Sequence, residues 1–151
     1  MTRSVRSLGV LPPLRALVAV LPVAGLLLVR WWCTVVTVRG HSMNPTLTDG
    51  QRVLAIRHRR YRTGDVIVFW TPGGSGTPGD PDYRIKRVVG TGGEPRPALF
   101  AGSTLPAVIP PGHLAVAGDN AQRSQDSRHL GYIALSDVRA RVRIAGSQQI
   151  R

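Results

Sequence analysis

Lys86 is the residue of this chain whose type and setting most clearly allow catalytic chemistry. It is the single lysine beside 19 arginines, and a lysine, unlike an arginine, can lose its proton inside a protein. It lies in a predicted apolar strand between Ile85 and Val88, where desolvation favours the neutral amine. A fall in its pKa from about 10.4 to about 7 makes a lysine a general base at neutral pH. We therefore predict a functional role for Lys86.

Ser42 is the matching candidate for a nucleophile. It follows a predicted strand and lies in a tight turn set by Gly40 and Pro45. Such a turn exposes a hydroxyl beside free backbone N–H groups, which an oxyanion intermediate requires. Most serines before a proline turn are only turn residues, so the prediction for Ser42 depends on its partnership with Lys86.

No other group of side chains offers a competing site. The four histidines, His41, His58, His113 and His129, lack metal-ligand spacing, and the chain has no Gly-x-Ser-x-Gly motif. A Ser–His–Asp triad assembles in space, so spacing alone leaves it open. The single cysteine, Cys33, excludes an internal disulfide and a cysteine-based zinc site. We predict no metal and no organic cofactor.

The charge of the chain favours a membrane surface as its partner. The formal net charge is +12, with only eight acids. Nucleic-acid binding, attraction to anionic lipid and compositional bias each produce such a balance. One local basic cluster comprises Arg57, His58, Arg59, Arg60 and Arg62, and a solvated turn between strands explains it at least as well. We expect a lipid bilayer as partner and no nucleic acid.

The N-terminal segment predicts a membrane anchor. The uncharged run from Ala16 to Val29 covers about 21 Å as a helix, short of a hydrocarbon core of about 30 Å. Extension to Val36 reaches spanning length and encloses Arg30, which can snorkel to the interface. The basic flank predicts a cytoplasmic start and a single-pass topology with the catalytic domain on the extracytoplasmic face of the cell membrane. A cleaved signal and a buried helix remain as alternatives.

The remainder of the chain predicts short strands. Residues 1–34 are expected to form the cytoplasmic tip and anchor, and residues 35–151 the catalytic β-domain. The fold class is mostly β, a coiled, barrel-like antiparallel sheet with one N-terminal transmembrane helix. A Gly/Pro-rich loop covers residues 71–81. The β-branched runs that predict strands are Thr34–Arg39, Arg52–Arg57, Asp65–Trp70, Tyr83–Gly90, His113–Ala117 and Val138–Ile144.

Four ordered segments of this chain resemble the type I signal peptidases. Those enzymes carry a Ser-Met-x-Pro-Thr box, a Gly-Asp-(Ile/Val)-Val strand, a Lys-Arg-Val-x-Gly box and a Gly-Asp-Asn…Ser-x-Asp-Ser-Arg…Gly box, in this order. The resemblance runs from about residue 35 to residue 131. The matching segments are Gly40–Leu47, Gly64–Phe69, Tyr83–Gly90 and Gly118–Gly131.

The resemblance implies a role for each site residue. Ser42 is expected to be the acylating nucleophile and Lys86 the base that accepts its proton. Ser124 is expected to orient the Lys86 amine, with Asp126 and Arg128 as a supporting ion pair.

Further roles concern the oxyanion hole and the substrate. Gly40 stands where some relatives carry a serine, so only backbone can donate to an oxyanion there. Val36, Val38 and Ile85 match residues that line shallow pockets for small side chains. That implies Ala-x-Ala cleavage sites, bound strand-to-strand along a sheet edge. The Gly118-Asp119-Asn120 turn is expected to bring the last box to the serine and lysine.

The resemblance implies a membrane-bound serine endopeptidase that removes signal peptides from exported preproteins. Only 31 residues separate Lys86 from Gly118, so the extra β-domain of larger relatives is absent and the chain resembles minimal members of the family. Two alternatives remain. One is a dedicated maturation protease for a single precursor, such as nickel-type superoxide dismutase, and the other is an inactive, membrane-bound basic binding protein.

Overall fold

A single antiparallel sheet of seven strands forms the described part of the protein. The computed structural model describes residues 32–71 and 83–144. The sheet is a curled half-barrel with the strand order β1-β2-β7-β3-β4-β5-β6, so β1 and β6 are its two edges. The strands are β1 (Cys33–Thr37), β2 (Arg52–Ile56), β3 (Val66–Trp70), β4 (Tyr83–Thr91), β5 (His113–Ala117), β6 (Ile133–Ala134) and β7 (Val138–Arg143).

The central strand β3 is buried on both faces of the sheet. Val66 and Val68 pack into a first core cluster, whereas Ile67 and Phe69 pack into a second one on the opposite face. This follows from the two-residue period of side chains along a strand. The first cluster also contains Val38, Met43, Leu47, Val53, Ala55, Ala140 and Val142, and the second contains Val88, Leu114, Val116 and Ile133.

The six predicted strands are all present, and their ends differ from the predicted ends by at most two residues. The alternation predicted for the last strand is also present, because Ala140 and Val142 are buried while Arg139 and Arg143 are exposed. The sequence did not predict β6, which has two residues. It also did not predict the four-residue helix α1 (Ser127–Leu130) or the 3-10 turns at Ala98–Phe100, Ala121–Arg123 and Leu135–Asp137.

The predicted transmembrane helix lies almost entirely outside the described residues. The chain separates into two compact units, Met1–Trp32 and Cys33–Arg151, and of the first unit only Trp32 is described. Across residues 32–71 and 83–144, no helix has the length and apolar character needed to cross a bilayer. The anchor and the boundary after residue 34 therefore remain predictions.

Candidate active site

The turn that carries Ser42 is held down by its apolar neighbours. Met43 and Leu47 are almost fully buried in the first core cluster, and the Leu47 N–H donates to the Met43 carbonyl at 2.9 Å. Gly40 opens the turn with a φ of 78°, a conformation that favours glycine. The Asn44–Pro45 peptide bond is cis. Buried residues on both sides of Ser42 thus fix a half-buried hydroxyl at the rim of the core.

Lys86 meets Ser42 from strand β4. Its side chain is 4% exposed, and its Nζ donates a hydrogen bond to Ser42 Oγ at 2.5 Å. Burial lowers the pKa of Lys86 to about 8, and the nearby Arg84 charge acts in the same direction. At neutral pH an amine with this pKa is uncharged in about one molecule in ten. The two residues that the sequence singled out are therefore in direct contact, although 44 positions separate them in the chain.

The loop after β5 packs closely against the Ser42 turn. The Asn120 N–H donates to the Ser42 carbonyl at 3.0 Å. A Cβ on Gly118 would lie 2.5 Å from that carbonyl and 2.3 Å from Ser124 Oγ, which is closer than real Cβ contacts allow. Gly118 is therefore glycine because Ser42 and Ser124 occupy the space beside it.

Asp126 is completely buried and accepts hydrogen bonds from several residues of this loop. Its carboxylate accepts from Arg128 Nε at 2.9 Å and Arg128 Nη2 at 2.8 Å, so the predicted ion pair is present and bidentate. Burial alone favours the neutral acid, but hydrogen bonds from Arg128, Gly118 and Ser124 outweigh it and lower the pKa of Asp126. The loop is thus organised around a buried negative charge.

Ser124 contacts Asp126, not Lys86. Its hydroxyl donates to Asp126 Oδ2 at 2.9 Å, and within residues 32–71 and 83–144 no hydrogen bond joins it to the Lys86 amine. Because Asp126 takes the hydroxyl proton, the lone pairs of Ser124 Oγ remain able to accept a hydrogen bond. The orienting role of Ser124 stays a prediction.

The backbone N–H of Gly40 is already engaged. It donates to Asp49 Oδ1 at 2.7 Å, so Gly40 braces the turn through that bond. The Ser42 N–H, in contrast, has no hydrogen-bond partner in the part of the chain that the structure describes. Of the two backbone donors that the sequence suggested, only the Ser42 N–H is open to a developing oxyanion.

Arg87 follows Lys86 directly and was not among the site residues predicted from the sequence. Its Nε and Nη2 donate to the two carboxylate oxygens of Asp119 at 2.8 and 2.7 Å. Its Nη1 also donates to the Gly64 carbonyl at 2.9 Å, and its Nη2 to Thr46 Oγ1 at 3.2 Å. Arg87 thereby ties β4 to the Ser42 turn and to the Gly118 loop. The adjacent Lys-Arg pair was the only signal for it in the sequence.

The three predicted pocket residues are grouped around one core cluster but differ in exposure. Val36 and Ile85 are half-buried and pack against the first core cluster from β1 and β4. Val38 belongs to that cluster and is only 2% exposed, so it lies beneath the surface that a substrate would touch. Among the described residues, no three His, Cys, Asp or Glu side chains are grouped to hold a metal ion.

Chemically, the assembled parts are capable of acyl transfer. They comprise a hydroxyl, a buried amine with a lowered pKa in contact with it, and a free N–H at the same residue. Groups arranged in this way can carry out acyl transfer, with the hydroxyl as nucleophile and the amine as base.

Comparison with known proteins shows the family to which the chain belongs. The family described as "Signal peptidase, peptidase S26" matches residues 13–95 and 98–146. Mitochondrial inner membrane protease subunit 1 of Mus musculus is 31% identical over 115 residues, 72% of this chain and 66% of that protein. The protein of the same name from Schizosaccharomyces pombe is 33% identical over 110 residues, 68% of this chain and 66% of that protein. Signal peptidase I of Bacillus licheniformis is 30% identical over 146 residues, 74% of this chain and 72% of that protein.

The chain therefore belongs to the type I signal peptidase family, a family of peptidases. It spans just under two thirds of the length of the two mitochondrial relatives. The matched segments contain Ser42, Lys86 and the whole loop from Gly118 to Arg128.

Proposed function

We propose that this protein is a membrane-bound serine endopeptidase that removes signal peptides from exported preproteins, with Ser42 as nucleophile and Lys86 as general base. The observation that carries the proposal is the hydrogen bond between Ser42 Oγ and Lys86 Nζ, the amine of an almost fully buried lysine. Within residues 32–71 and 83–144 the Lys86 amine forms no ion pair with a carboxylate, and a buried lysine that contacts a serine hydroxyl in this way can take up its proton.

The first step is acylation. Neutral Lys86 accepts the Ser42 proton as Oγ attacks the scissile carbonyl carbon, and the Ser42 N–H donates to the oxyanion that forms. Collapse of this intermediate breaks the peptide C–N bond, and the Lys86 ammonium gives its proton to the leaving amine. Neutral Lys86 then activates a water molecule, which hydrolyses the ester and releases Ser42.

The loop around Asp126 supports this cycle by holding position and charge. Asn120 fixes the Ser42 carbonyl, which limits the freedom of the nucleophile. When Lys86 carries the transferred proton, the lone pairs of Ser124 Oγ offer an acceptor for it. The Ser124 hydroxyl donates a hydrogen bond to Asp126. Its hydrogen therefore points at Asp126, and its lone pairs point away from Asp126.

The substrate binds as an added strand with small side chains. Among the residues that the structure describes, strand β1 pairs with β2 alone, so its outer edge has backbone groups available for an extended peptide. Val36 and Ile85, half-buried beside the same cluster, leave room for residues about the size of alanine. This supports cleavage after Ala-x-Ala segments.

The relatives' names support a membrane location. Two of them are inner membrane protease subunits and one is a signal peptidase I. The proposed single-pass anchor, with the peptidase domain on the extracytoplasmic face, rests on the basic flank and the apolar run before residue 30.

Cleavage of a model preprotein with an Ala-x-Ala site tests the proposal. The full chain in detergent-free bilayers is compared with Ser42→Ala and Lys86→Ala, and with Ser136→Ala as a matched control at an exposed serine. We expect wild type and the control to cut after the small-residue segment. The cleavage rates of Ser42→Ala and Lys86→Ala should each fall at least about 1,000-fold.

The outcomes separate the proposal from its alternatives. Cutting by Lys86→Ala at near the wild-type rate would show that Lys86 is not the base. An intact preprotein in every sample would contradict general signal peptide removal and leave a dedicated substrate or a binding protein as the explanation.

A further inference from the structure

A run of exposed positive charge lies in the loop between β2 and β3. We name residues 57–62 the basic loop. Its four arginines, Arg57, Arg59, Arg60 and Arg62, are all exposed, and so is His58. The proposed catalytic cycle uses none of them.

The basic loop has a fixed shape that turns its charges outward. Tyr61 packs against the second core cluster, and its hydroxyl donates to the His58 carbonyl at 2.7 Å. The Arg60 N–H donates to His58 Nδ1 at 3.1 Å. Tyr61 therefore anchors the loop from inside, and the arginines on either side of it project into solvent.

Asp65, just beyond the basic loop, accepts a hydrogen bond from it and also faces an arginine elsewhere. Asp65 accepts the backbone N–H of Arg62 at 3.0 Å. Its other oxygen lies 3.6 Å from Arg141 Nη1, a guanidinium on β7. Asp65 is thus shared with an arginine outside the loop, and the surface keeps a strong positive potential.

The basic loop lies at the end of the sheet where strand β1 begins. Strand β2 ends at Ile56, and Ile56 is the register partner of Cys33, the first residue of β1. The chain before Cys33 contains the predicted anchor. Arginines near an anionic bilayer surface are attracted to its headgroups.

The same end of the sheet is level with Lys86. Ile56 pairs with Arg141, Arg141 pairs with Ile67, and Ile67 pairs with Lys86. This row crosses four neighbouring strands, so Lys86 lies about 15 Å along the sheet from Ile56. A contact between the basic loop and a bilayer therefore also fixes the distance of Lys86 from the bilayer surface.

We propose that the basic loop binds anionic phospholipid headgroups and holds the Ser42–Lys86 site level with the bilayer surface. The proposal rests on the proposed function in one respect, the anchoring of the chain in a membrane. Each arginine near an anionic surface strengthens partitioning about fivefold, so loss of two weakens the docked state about 25-fold.

The test compares two pairs of arginines at opposite ends of the β2 strand. One variant is Arg59→Gln/Arg60→Gln in the basic loop. The control is Arg52→Gln/Arg143→Gln, two exposed arginines at the far end of β2 and on the neighbouring β7. Both variants lose the same charge. Full chains are placed in nanodiscs of phosphatidylcholine alone or mixed with phosphatidylglycerol.

Amide hydrogen exchange of residues 57–62 is the first readout. We expect phosphatidylglycerol to slow exchange there at least about fivefold in wild type and in the control pair, and to have no effect in the loop pair. The slowing should disappear in high salt, because screening weakens contacts between exposed charges.

Cleavage of two substrates is the second readout. Phosphatidylglycerol should accelerate cleavage of a bilayer-anchored preprotein in wild type and in the control pair but not in the loop pair. A soluble Ala-x-Ala peptide should be cut equally by all three. Since exchange needs no catalysis, failure to cut either substrate rejects the proposed function, whereas lipid-independent exchange rejects the headgroup site.

Three results would overturn the headgroup site. The first is equal exchange with and without phosphatidylglycerol in wild type. The second is an equal loss of the phosphatidylglycerol effect in the control pair, which would show that the effect depends on net charge and not on the basic loop. The third is protection of the loop by duplex DNA at physiological salt without any by phosphatidylglycerol.

Discussion

Gly118→Ala adds one methyl group where the Gly118 loop meets the Ser42 turn. The new Cβ would lie 2.5 Å from the Ser42 carbonyl oxygen, 2.3 Å from Ser124 Oγ and 2.6 Å from Ser124 Cβ. Neither neighbour can swing away freely. The carbonyl is backbone and accepts from Asn120, and the Ser124 hydroxyl is bonded to the buried Asp126.

The expected effect follows from the size of the overlap. Ordinary contact begins at about 3.4 Å, so the Ser42 carbonyl and the Gly118 loop must separate by about 1 Å. A displacement of about 1 Å at a reacting group costs about 100-fold in rate. Overpacking of this kind also costs about 1–3 kcal/mol of unfolding free energy. We predict both effects together.

The assay measures kcat/KM on a soluble Ala-x-Ala peptide and the urea midpoint of the same samples. Gly90→Ala is the matched control, because its Cβ would also overlap a neighbour, Ile109 Cδ1 at 2.6 Å. That neighbour is the end of an apolar side chain in the third core cluster, which comprises Phe100, Ile109, Ala115 and Ala117. We expect the control to lose stability and to keep kcat/KM within about threefold.

Two results would refute the reasoning for Gly118. If Gly118→Ala kept wild-type kcat/KM, the packing of the Gly118 loop against Ser42 would not control catalysis. If Gly90→Ala lost as much activity as Gly118→Ala, the loss would reflect general destabilisation.

Two further predictions concern the ion pairs around the site. Arg87→Lys cannot keep both bonds to the Asp119 carboxylate, so we expect the urea-derived unfolding free energy to fall by about 2 kcal/mol; a change below about 0.5 kcal/mol contradicts this. Asp126→Asn leaves Arg128 without its partner and should cost about 3 kcal/mol at pH 7. Folding lowers the pKa of Asp126, so its negative charge stabilises the folded protein at pH values above the unfolded pKa of about 3.9. This stabilisation is lost as the pH falls through the pKa of Asp126 in the folded protein. Urea midpoints of wild type and Asp126→Asn should therefore converge in acid, and a constant gap contradicts the assignment.

The strands were predictable because their apolar residues are local signals. Val66–Trp70 is a short, continuous apolar run and Val138–Arg143 alternates, and both patterns are typical of strands. Strand β6 has two residues, too few to show any period. Helix α1 has four residues and begins at the Asp126 cap, a contact that no periodicity reports.

The site was predictable where residue type restricts the chemistry. A lone lysine in an apolar run has few structural uses, so Lys86 stood out, and its contact with Ser42 is present. Arg87 did not stand out because it is one of 19 arginines, and its partner Asp119 is 32 positions away. Gly40 shows the same limit, since its N–H is engaged by Asp49 through a bond that only the folded turn creates.

The titration of Lys86 itself tests the central claim most directly. As the single lysine, it gives one side-chain resonance when the chain is labelled with 13C-ε-lysine, and its chemical shift follows its protonation. We predict an NMR midpoint at about 8 and a rise of kcat/KM with pH through the same midpoint, because the free enzyme's base must be neutral to act. A Lys86 midpoint above about 10, at the ordinary lysine value, with activity already maximal at neutral pH, would contradict Lys86 as the base of Ser42.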